Sequence, residues 1–204
     1  MVYLKQKIGI MGGTFDPIHI GHLVTAEAVR MEFGLDKVLV IPAGQPPHKD
    51  GLNVTPALHR YIMTVIAICS NHYFYVSPME MEREGPSYTI DTIQALIKEY
   101  GDCAEFYFIT GADAVQELHS WKDIQLLLDL CHFIAAPRPG SMDKLDEVIA
   151  SFGEKGVQRI HRLSTPELEI SSTDIREKVR QGQSIKYVVP EAVEKYIIKE
   201  GLYS

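Results

Sequence analysis

The sequence predicts an α/β fold: a Rossmann-like doubly wound parallel sheet with helices on both faces and a small C-terminal helical subdomain. Three observations predict it. Short, continuously apolar runs alternate with stretches of helical periodicity, several runs end in glycine or proline, and 46% of the 204 residues are hydrophobic. Strands that are apolar on both faces are typical of a parallel sheet covered by helices. We expect a core over residues 1–163 and a C-terminal helical part of the same domain over residues 164–204.

The first three predicted elements form a strand, a helix and a second strand. Residues 8–11 are an apolar run that ends in glycines, which predicts a strand followed by a tight turn. Residues 22–33 follow as a helix that Gly34 ends. Residues 37–41 form the next buried strand, and Pro42 closes it.

The next predicted element is an amphipathic helix over residues 56–70. Thr55 is expected to be its N-cap, and Pro56 suits the first turn. Apolar side chains recur at steps of three and four residues, which places them on one face. The predicted buried face consists of Leu58, Tyr61, Ile62, Val65, Ile66 and Cys69.

The rest of the core continues the alternation of strands and helices. Residues 73–77 read as a third strand and residues 88–100 as a helix. Apolar runs predict further strands at residues 106–109, 132–135 and 157–163.

Two helices are predicted to close the chain, at residues 171–181 and 190–201, with Ser171 or Ser172 as the cap of the first.

Four segments follow predicted strands and should therefore meet at one edge of the sheet. In open parallel sheets the ligand lies at the carboxyl ends of the strands. The sequence therefore predicts a binding site built from several loops. The segments are Gly12-Gly13, residues 45–49, residues 110–113 and residues 137–140.

Composition narrows the partners. The formal charge of −7 argues against a nucleic-acid partner. No run reaches the 18 or so apolar residues that span a membrane, and residues 1–7 lack a secretory leader, so a cytoplasmic protein is expected. Cys69, Cys103 and Cys131 are expected to be reduced thiols, because none is spaced as in a metal or redox site. A homo-oligomer is left open.

Two glycines and two histidines mark the end of the first strand. Gly12 and Gly13 allow the backbone to approach a ligand closely, and the helix that follows offers unpaired N–H groups that suit phosphate. His19 and His22 lie three residues apart and share a helix face, so both can donate to phosphate oxygens. The alternative is a glycine turn with two surface histidines. A metal site is not predicted, because His-x-x-His alone lacks a third ligand.

Two common nucleotide-binding motifs are excluded here. No Gly-Lys-Ser/Thr follows the glycines, so the segment is not a Walker A loop. The spacing is not Gly-x-Gly-x-x-Gly, and the second strand ends in Pro42-Ala43 rather than an acid that would bind a ribose. A nicotinamide-dependent dehydrogenase is therefore disfavoured.

The two ends of the chain carry a pair of matching signatures. Residues 12–22, GGTFDPIHIGH, and residues 170–176, ISSTDIR, resemble the two signatures of the nucleotidyltransferase superfamily with a His-x-Gly-His motif. Residues 45–49 (QPPHK), 85–92 (GPSYTIDT) and 110–113 (TGAD), with Trp121 and Arg138, resemble the bacterial nicotinate-nucleotide adenylyltransferases, nearly end to end.

The residues between the signatures also suit a pyridine nucleotide. Trp121 could stack on a flat ring, although a packing tryptophan is the alternative. Ser87, Tyr88 and Thr89 begin a helix whose N–H groups could hold a ring carboxylate, or could be a simple N-cap. For the basic residues named below, solvated surface charge is the alternative to phosphate binding. Asp16 could bind metal or only fix its turn.

The resemblance implies adenylyl transfer from ATP to nicotinate mononucleotide, giving nicotinate adenine dinucleotide and pyrophosphate in NAD biosynthesis. The alternatives are nicotinamide mononucleotide or another phosphorylated acceptor, or a silent nucleotide-binding regulator on the same fold. Mg²⁺ is expected with ATP. The implied catalytic residues are His19, His22 and Arg176. The implied ATP-binding residues are Gly12, Gly13, Thr14, Phe15, His19, His22, Gly111, Asp113, Ile170, Ser171, Ser172, Thr173 and Arg176. The implied mononucleotide-binding residues are His48, Lys49, Ser87, Tyr88, Thr89, Trp121 and Arg138.

Overall fold

A parallel sheet lies at the centre of the computed structural model, which describes residues 5–47, 54–136, 144–163 and 168–204. Within these ranges the sheet has six strands in the order β3-β2-β1-β4-β5-β6, and every neighbouring pair is parallel. The chain adds strands outward from β1 in one direction and then from β4 in the other. The carboxyl ends of the paired strands β1 and β4 are therefore the topological switch point of the sheet. The strands are β1 Gln6–Gly13, β2 Lys37–Pro42, β3 Phe74–Val76, β4 Ala104–Gly111, β5 His132–Ala136 and β6 Ile160–Arg162.

Helices cover both faces of this sheet, which confirms the predicted doubly wound fold. The first helix begins at Ile20 and ends where Gly34 adopts a left-handed conformation (φ 62°), as the sequence predicts. No helix in the described ranges has both the length and the apolar character needed to cross a membrane. The helices are α1 Ile20–Phe33, α2 Ala57–Ile68, α3 Thr89–Tyr100, α4 Ala112–Gln116, α5 Ile124–Leu130, α6 Leu145–Ser151, α7 Gly153–Arg159, α8 Ser172–Arg180 and α9 Glu191–Glu200.

Two hydrophobic cores lie on opposite faces of the sheet because side chains alternate along each strand. In β4, Tyr107 and Ile109 enter one core, whereas Phe106 and Phe108 enter the other. The first core is shared with α1, α2, α8 and α9, and the second with α3 to α6. Ile175 and Val193 lie in the same core as Met11 of β1, so the closing helices pack directly on the sheet layer that carries the glycines.

The prediction of a strand over residues 157–163 is wrong in its first half. Helix α7 extends to Arg159, and β6 covers only Ile160–Arg162. Helices α6 and α7 pass so close that a Cβ on Gly156 would lie 2.1 Å from the carbonyl oxygen of Ile149. Like α4 and α5, both are short, and too few turns are present to give the sequence a helical period.

The predicted buried face of α2 is also wrong. Leu58 is 62% exposed and Val65 38% exposed, whereas the buried side chains are those of Arg60, Met63, Thr64, Ala67 and Ile68. Two polar residues can lie on the buried face because their hydrogen bonds are satisfied: Arg60 binds three backbone carbonyls, and Thr64 donates to the carbonyl of Arg60 at 2.8 Å. The predicted cap is wrong too, since Pro56 takes the N-cap position and no side chain caps this helix.

Candidate active site

Two cavities open at the carboxyl end of the sheet, on the two sides of β1. The His cavity, of about 250 Å³, contains the side chains of His19 and His22 and is bounded by β1, β4 and the first turns of α1 and α4. The Trp cavity, of about 360 Å³, contains Trp121 and the first turn of α3. The two cavities share Gly12, Gly13, Thr110 and Ala114, so they meet over the ends of β1 and β4.

The two glycines form the floor between these cavities rather than a turn. Both are paired in β1 with residues of β2, which corrects the prediction that they form the turn itself. A Cβ at Gly13 would lie 3.0 Å from the ring of Phe15, and one at Gly12 would lie 3.3 Å from Phe108. Only glycine leaves room here for both the packed ring and a ligand over the strand. The chain turns over residues 14–19, which we call the His turn.

The His turn brings the two histidines together, as their spacing predicts. His19 is the N-cap of α1 and is buried (4% exposed), and the ring centroids of His19 and His22 stack at 3.7 Å. The backbone N–H of His19 donates to Nδ1 of His22 at 3.2 Å. Because Nδ1 accepts this hydrogen bond, the neutral ring of His22 carries its proton on Nε2. His22 is thereby fixed in the tautomer that donates from Nε2.

The second signature lies against the His turn. Ser171 caps α8 by accepting from the N–H of Asp174 at 3.1 Å, while Ser172 Oγ donates to the carbonyl of Pro17 at 2.9 Å. Arg176 Nη1 donates to the carbonyl of Asp16 at 2.7 Å, and its Nη2 reaches Thr173 Oγ1 at 3.4 Å. Ser172 and Arg176 therefore hold the turn, in addition to any contact with a ligand, whereas Ser171 caps α8 and Thr173 contacts Arg176.

Other residues predicted for ATP line the His cavity directly. Gly111 ends β4, Asp113 lies in the first turn of α4, and Ile170 forms part of the opposite wall. Thr14 lies in the Trp cavity. Phe15 is packed beneath the glycines, with its ring edge-on to His22 at 5.1 Å between centroids. The structure thus brings both signatures to one edge of the sheet.

The aromatic wall of the Trp cavity is packed against the protein core. Trp121 packs edge-on against Phe108 and Phe133, with centroids 5.8 Å and 5.9 Å apart. Its half-buried ring also lines the cavity, so the core contact and the stacking role can coexist. Tyr88 lies on the same cavity, and the ammonium of Lys122 is 4.7 Å from its ring centroid.

Ser87 proves to be a structural junction between two loops. Its Oγ accepts from the N–H groups of Gly44 at 3.0 Å and Gln45 at 3.3 Å, and its own N–H donates to the carbonyl of Gln45 at 2.9 Å. The hydroxyl is therefore committed to the loop after β2. Thr89 begins α3, where the first N–H groups lie before any carbonyl of the helix that could accept from them, while the N–H of Asp91 donates to the carbonyl of Tyr88 at 3.2 Å.

Two buried charged residues at the site escape prediction from sequence. Glu80 lines the Trp cavity and is buried, and its Oε1 accepts from Thr92 Oγ1 at 2.7 Å. Burial raises the pKa of the Glu80 carboxyl, while hydrogen bonds from Thr92 and Ser87 oppose that shift. Gly44 passes so close that a Cβ there would lie 2.2 Å from the carbonyl oxygen of Glu80. No local pattern marks Glu80, because its partners Ser87 and Thr92 are brought to it only by the fold of the loop before α3 and the first turn of that helix.

Arg60 is the second missed residue, and it connects three loops. It is buried and donates to the carbonyls of Thr14 at 2.7 Å, Thr55 at 2.8 Å and Gly44 at 3.2 Å. Burial lowers the pKa of its guanidinium, and the nearby carboxylate of Asp16 opposes this shift. The chain therefore places a positive charge under the floor of the site without exposing it.

Asp16 fixes its turn, one of the two roles that the sequence leaves open for it. Its carboxylate is 3% exposed and accepts from Tyr203 OH at 2.7 Å and from the N–H of Thr55 at 3.2 Å. His48, Lys49 and Arg138, which were predicted to bind phosphate, lie outside the described residues.

Comparison with known proteins agrees with this geometry. Residues 10–178 match the family model described as cytidylyltransferase-like. The chain is 55% identical over 204 residues, covering 100% of it and 94% of the relative, to a protein of Moorella thermoacetica named "Probable nicotinate-nucleotide adenylyltransferase". A protein of the same name from a Thermoanaerobacter species is 54% identical over 200 residues, which cover 98% of this chain and 95% of the relative.

A solved structure supports the same architecture. Plasmodium falciparum nicotinic acid mononucleotide adenylyltransferase complexed with NaAD matches 97% of both chains, with a TM-score of 0.82 and 22% identity. At that level of identity the likeness speaks for the fold. The family assignment rests on the sequence matches, which cover nearly the whole of both chains. The chain therefore belongs to the cytidylyltransferase-like family of nucleotidyltransferases and, within it, to the nicotinate-nucleotide adenylyltransferases.

Proposed function

We propose that the enzyme transfers the adenylyl group of Mg²⁺-bound ATP to nicotinate mononucleotide, giving nicotinate adenine dinucleotide and pyrophosphate. One observation carries the proposal: the His cavity and the Trp cavity meet over Gly12 and Gly13. Two nucleotides bound in the two cavities would bring their phosphates together at that junction. The relatives named for this reaction extend over nearly the whole chain.

The chemistry needs positioning more than proton transfer. A phosphate oxygen of the mononucleotide attacks the α-phosphorus of ATP, a new P–O bond forms, and the bond from the α-phosphorus to the bridging oxygen breaks to release pyrophosphate. Because the nucleophile is already an anion, no general base is required. Rate enhancement then comes from in-line alignment and from stabilising the charge on the transferring phosphoryl group.

We assign the ATP side to the His cavity. His19 and His22 contact the ATP phosphates, and the fixed tautomer of His22 directs its Nε2–H at them. Gly12, Gly13, Gly111 and Asp113 lie around the nucleoside, which Ile170 covers from the C-terminal side. Ser171, Ser172, Thr173 and Arg176 serve the β- and γ-phosphates at the start of α8.

We assign the pyridine side to the Trp cavity. The indole of Trp121 stacks on the pyridine ring, and its packing against two phenylalanines holds it in place. The ring carboxylate meets the N–H groups at the start of α3, near Tyr88 and Thr89, where the helix dipole favours an anion. Ser87 contributes through the loops that it joins. His48, Lys49 and Arg138 remain candidates for the mononucleotide phosphate.

Mg²⁺ is proposed as part of the ATP substrate. Both oxygens of the one buried carboxylate in the His turn, Asp16, already accept hydrogen bonds. This donor set suits a cation held by phosphate oxygens and water better than one held in a protein cage. The cation would offset negative charge on the triphosphate.

A pyrophosphate-release assay tests the proposal. Purified enzyme with Mg²⁺ and ATP is given either nicotinate or nicotinamide mononucleotide at matched concentrations. We expect a kcat/KM at least 10-fold higher for the nicotinate form, because an uncharged amide gains less from the N–H groups at the start of α3. Equal values would refute the assignment of the carboxylate to α3, and no release with either acceptor would refute the proposed reaction.

A further inference from the structure

The His turn is held from one side by residues that lie late in the chain. Ser172 and Arg176 bind the carbonyls of Pro17 and Asp16, at 2.9 Å and 2.7 Å. The N–H of Ile20, at the start of α1, donates to the carbonyl of Val188 at 2.9 Å. These three contacts restrain the backbone of the turn just before and after His19.

A fourth contact from the same part of the chain restrains a side chain instead. The hydroxyl of Tyr203 donates to Oδ1 of Asp16 at 2.7 Å, while Oδ2 accepts the N–H of Thr55 at 3.2 Å. Burial and the Asp16 carboxylate raise the pKa of Tyr203, so its hydroxyl keeps its proton and donates at any physiological pH. Tyr203 lines neither the His cavity nor the Trp cavity.

Backbone conformation marks both ends of this contact. Phe15, next to Asp16, has φ 50°, and Tyr203 itself has φ 70°. Residues other than glycine pay an energetic cost in this left-handed region, and they persist there when the surrounding contacts hold them. The strained turn therefore depends on its partners to keep the two histidines where they are.

We propose that Tyr203 is a positioning residue for adenylyl transfer. Its hydroxyl fixes the carboxylate of Asp16, Asp16 fixes the His turn, and the turn aligns His19 and His22 with the reacting phosphate. This inference rests on the proposed function in one respect, that the α-phosphate of ATP reacts beside these histidines. It adds a residue, more than 180 positions from the turn, that lines neither the His cavity nor the Trp cavity.

The first test is kinetic. Tyr203→Phe removes one hydroxyl and should lower kcat about 10-fold, because small displacements of aligned groups are costly, while KM for the mononucleotide changes less than 2-fold. Asp16→Asn should lower kcat similarly. The matched control is Tyr196→Phe, which loses a tyrosine hydrogen bond to His59 Nδ1 (2.8 Å) in the same C-terminal part, away from the turn. An unchanged kcat in Tyr203→Phe, or an equal loss in Tyr196→Phe, overturns the proposal.

A double mutant separates positioning from a general loss of stability. If Tyr203 acts through the histidines, Tyr203→Phe should lower kcat clearly less than 10-fold when His22 is already alanine, since only His19 then remains to be aligned. A merely structural role predicts the same 10-fold loss in both backgrounds. That result would overturn the proposal even if the single variant behaves as expected.

Hydrogen exchange tests the same contact without substrate. In Tyr203→Phe, amides in a peptide covering residues 14–23 should exchange at least several-fold faster, while those in β4 should not change. Unaltered exchange in that peptide overturns the role of Tyr203 whatever the kinetics. Conversely, faster exchange in an enzyme whose wild type releases no pyrophosphate would retain the structural link and refute only the proposed reaction.

Discussion

Among the residues that the structure describes, two pairs of histidines stack, one at the carboxyl end of β1 and one on the strands at the edge of the sheet. His19 and His22 lie at the carboxyl ends of the strands, with ring centroids 3.7 Å apart. His132 and His161 lie within β5 and β6, at one lateral edge of the sheet, with centroids 5.0 Å apart and Nδ1 of the first 2.8 Å from Nε2 of the second. A pair of imidazoles is therefore not in itself a sign of catalysis.

The surroundings of the two pairs differ, and the difference shows what makes such a pair functional. His132 is enclosed by Arg159, which donates to its Nε2 at 2.9 Å, by the stacked ring of Tyr107 and by Glu105. The pair at the His turn borders a cavity that continues over two glycines. Of the two pairs, His19 and His22 can meet a ligand, because they lie where a strand ends and the loops leave a cavity.

The largest expected effect comes from His22→Ala. Loss of the Nε2–H donor should lower kcat for pyrophosphate release about 10²–10³-fold, since a preorganised donor to the transition state is removed. The melting temperature should fall little, because the ring lies beside a cavity. His161→Ala, on the edge strand β6, is the control and should keep kcat within about 3-fold. A similar loss in both variants would erase the distinction between the pairs.

The next largest effect is expected from Trp121→Ala, which changes binding in the Trp cavity. Removing the stacking surface should raise KM for nicotinate mononucleotide about 10-fold, or ~1.4 kcal/mol, with KM for ATP nearly constant. Steady-state kinetics with each substrate varied in turn measure both values. Phe133→Leu is a useful companion, since it perturbs the packing of Trp121 while leaving the indole in the cavity. An unchanged KM would assign Trp121 to the core alone.

The smallest expected effect is on the pH dependence of stability, through the half-buried pair His132 and His161. Burial, the charge of Arg159 and the neighbouring imidazole of His161 lower the pKa of His132, and Glu105 opposes this shift. Burial and the charge of Arg159 also lower the pKa of His161. Since the unfolded chain then binds protons more readily, this pair contributes stability above about pH 6.5 that is lost as the pH falls below it. Urea unfolding at pH 7.5 and 5.5 should show the decline.

His132→Gln is the matched variant for the pH experiment. It keeps a group that can accept from Arg159 but removes a titrating ring, so the decline between pH 7.5 and 5.5 should become shallower. An equally steep decline in the variant would assign the acid sensitivity to groups other than His132, such as His161, whose pKa is also lowered by burial and by Arg159.

Local patterns predicted the sheet and the loops at its edge, because apolar runs and glycines report directly on strands and their ends. The first signature also led to four residues that line the His cavity, Gly12, Gly13, His19 and His22, whereas of the second only Ile170 lines it, and Ser171, Ser172, Thr173 and Arg176 do not. The buried polar residues could not be found this way. Arg60, Glu80 and the contact between Asp16 and Tyr203 depend on partners up to 187 positions apart, which only the folded chain brings together. The face of α2 was misjudged for the same reason.

The floor shared by the two cavities has a consequence for how this enzyme can diversify. Gly12 and Gly13 belong to a paired strand, and apart from these glycines, Thr110 and Ala114 the two cavities are lined by different residues. A lineage could therefore rebuild the start of α3 and the wall around Trp121 for a new acceptor without disturbing the donor half. The shared strand would stay constant while the walls of the acceptor cavity change. Preference for the acceptor should therefore change faster among related enzymes than the use of a nucleoside triphosphate.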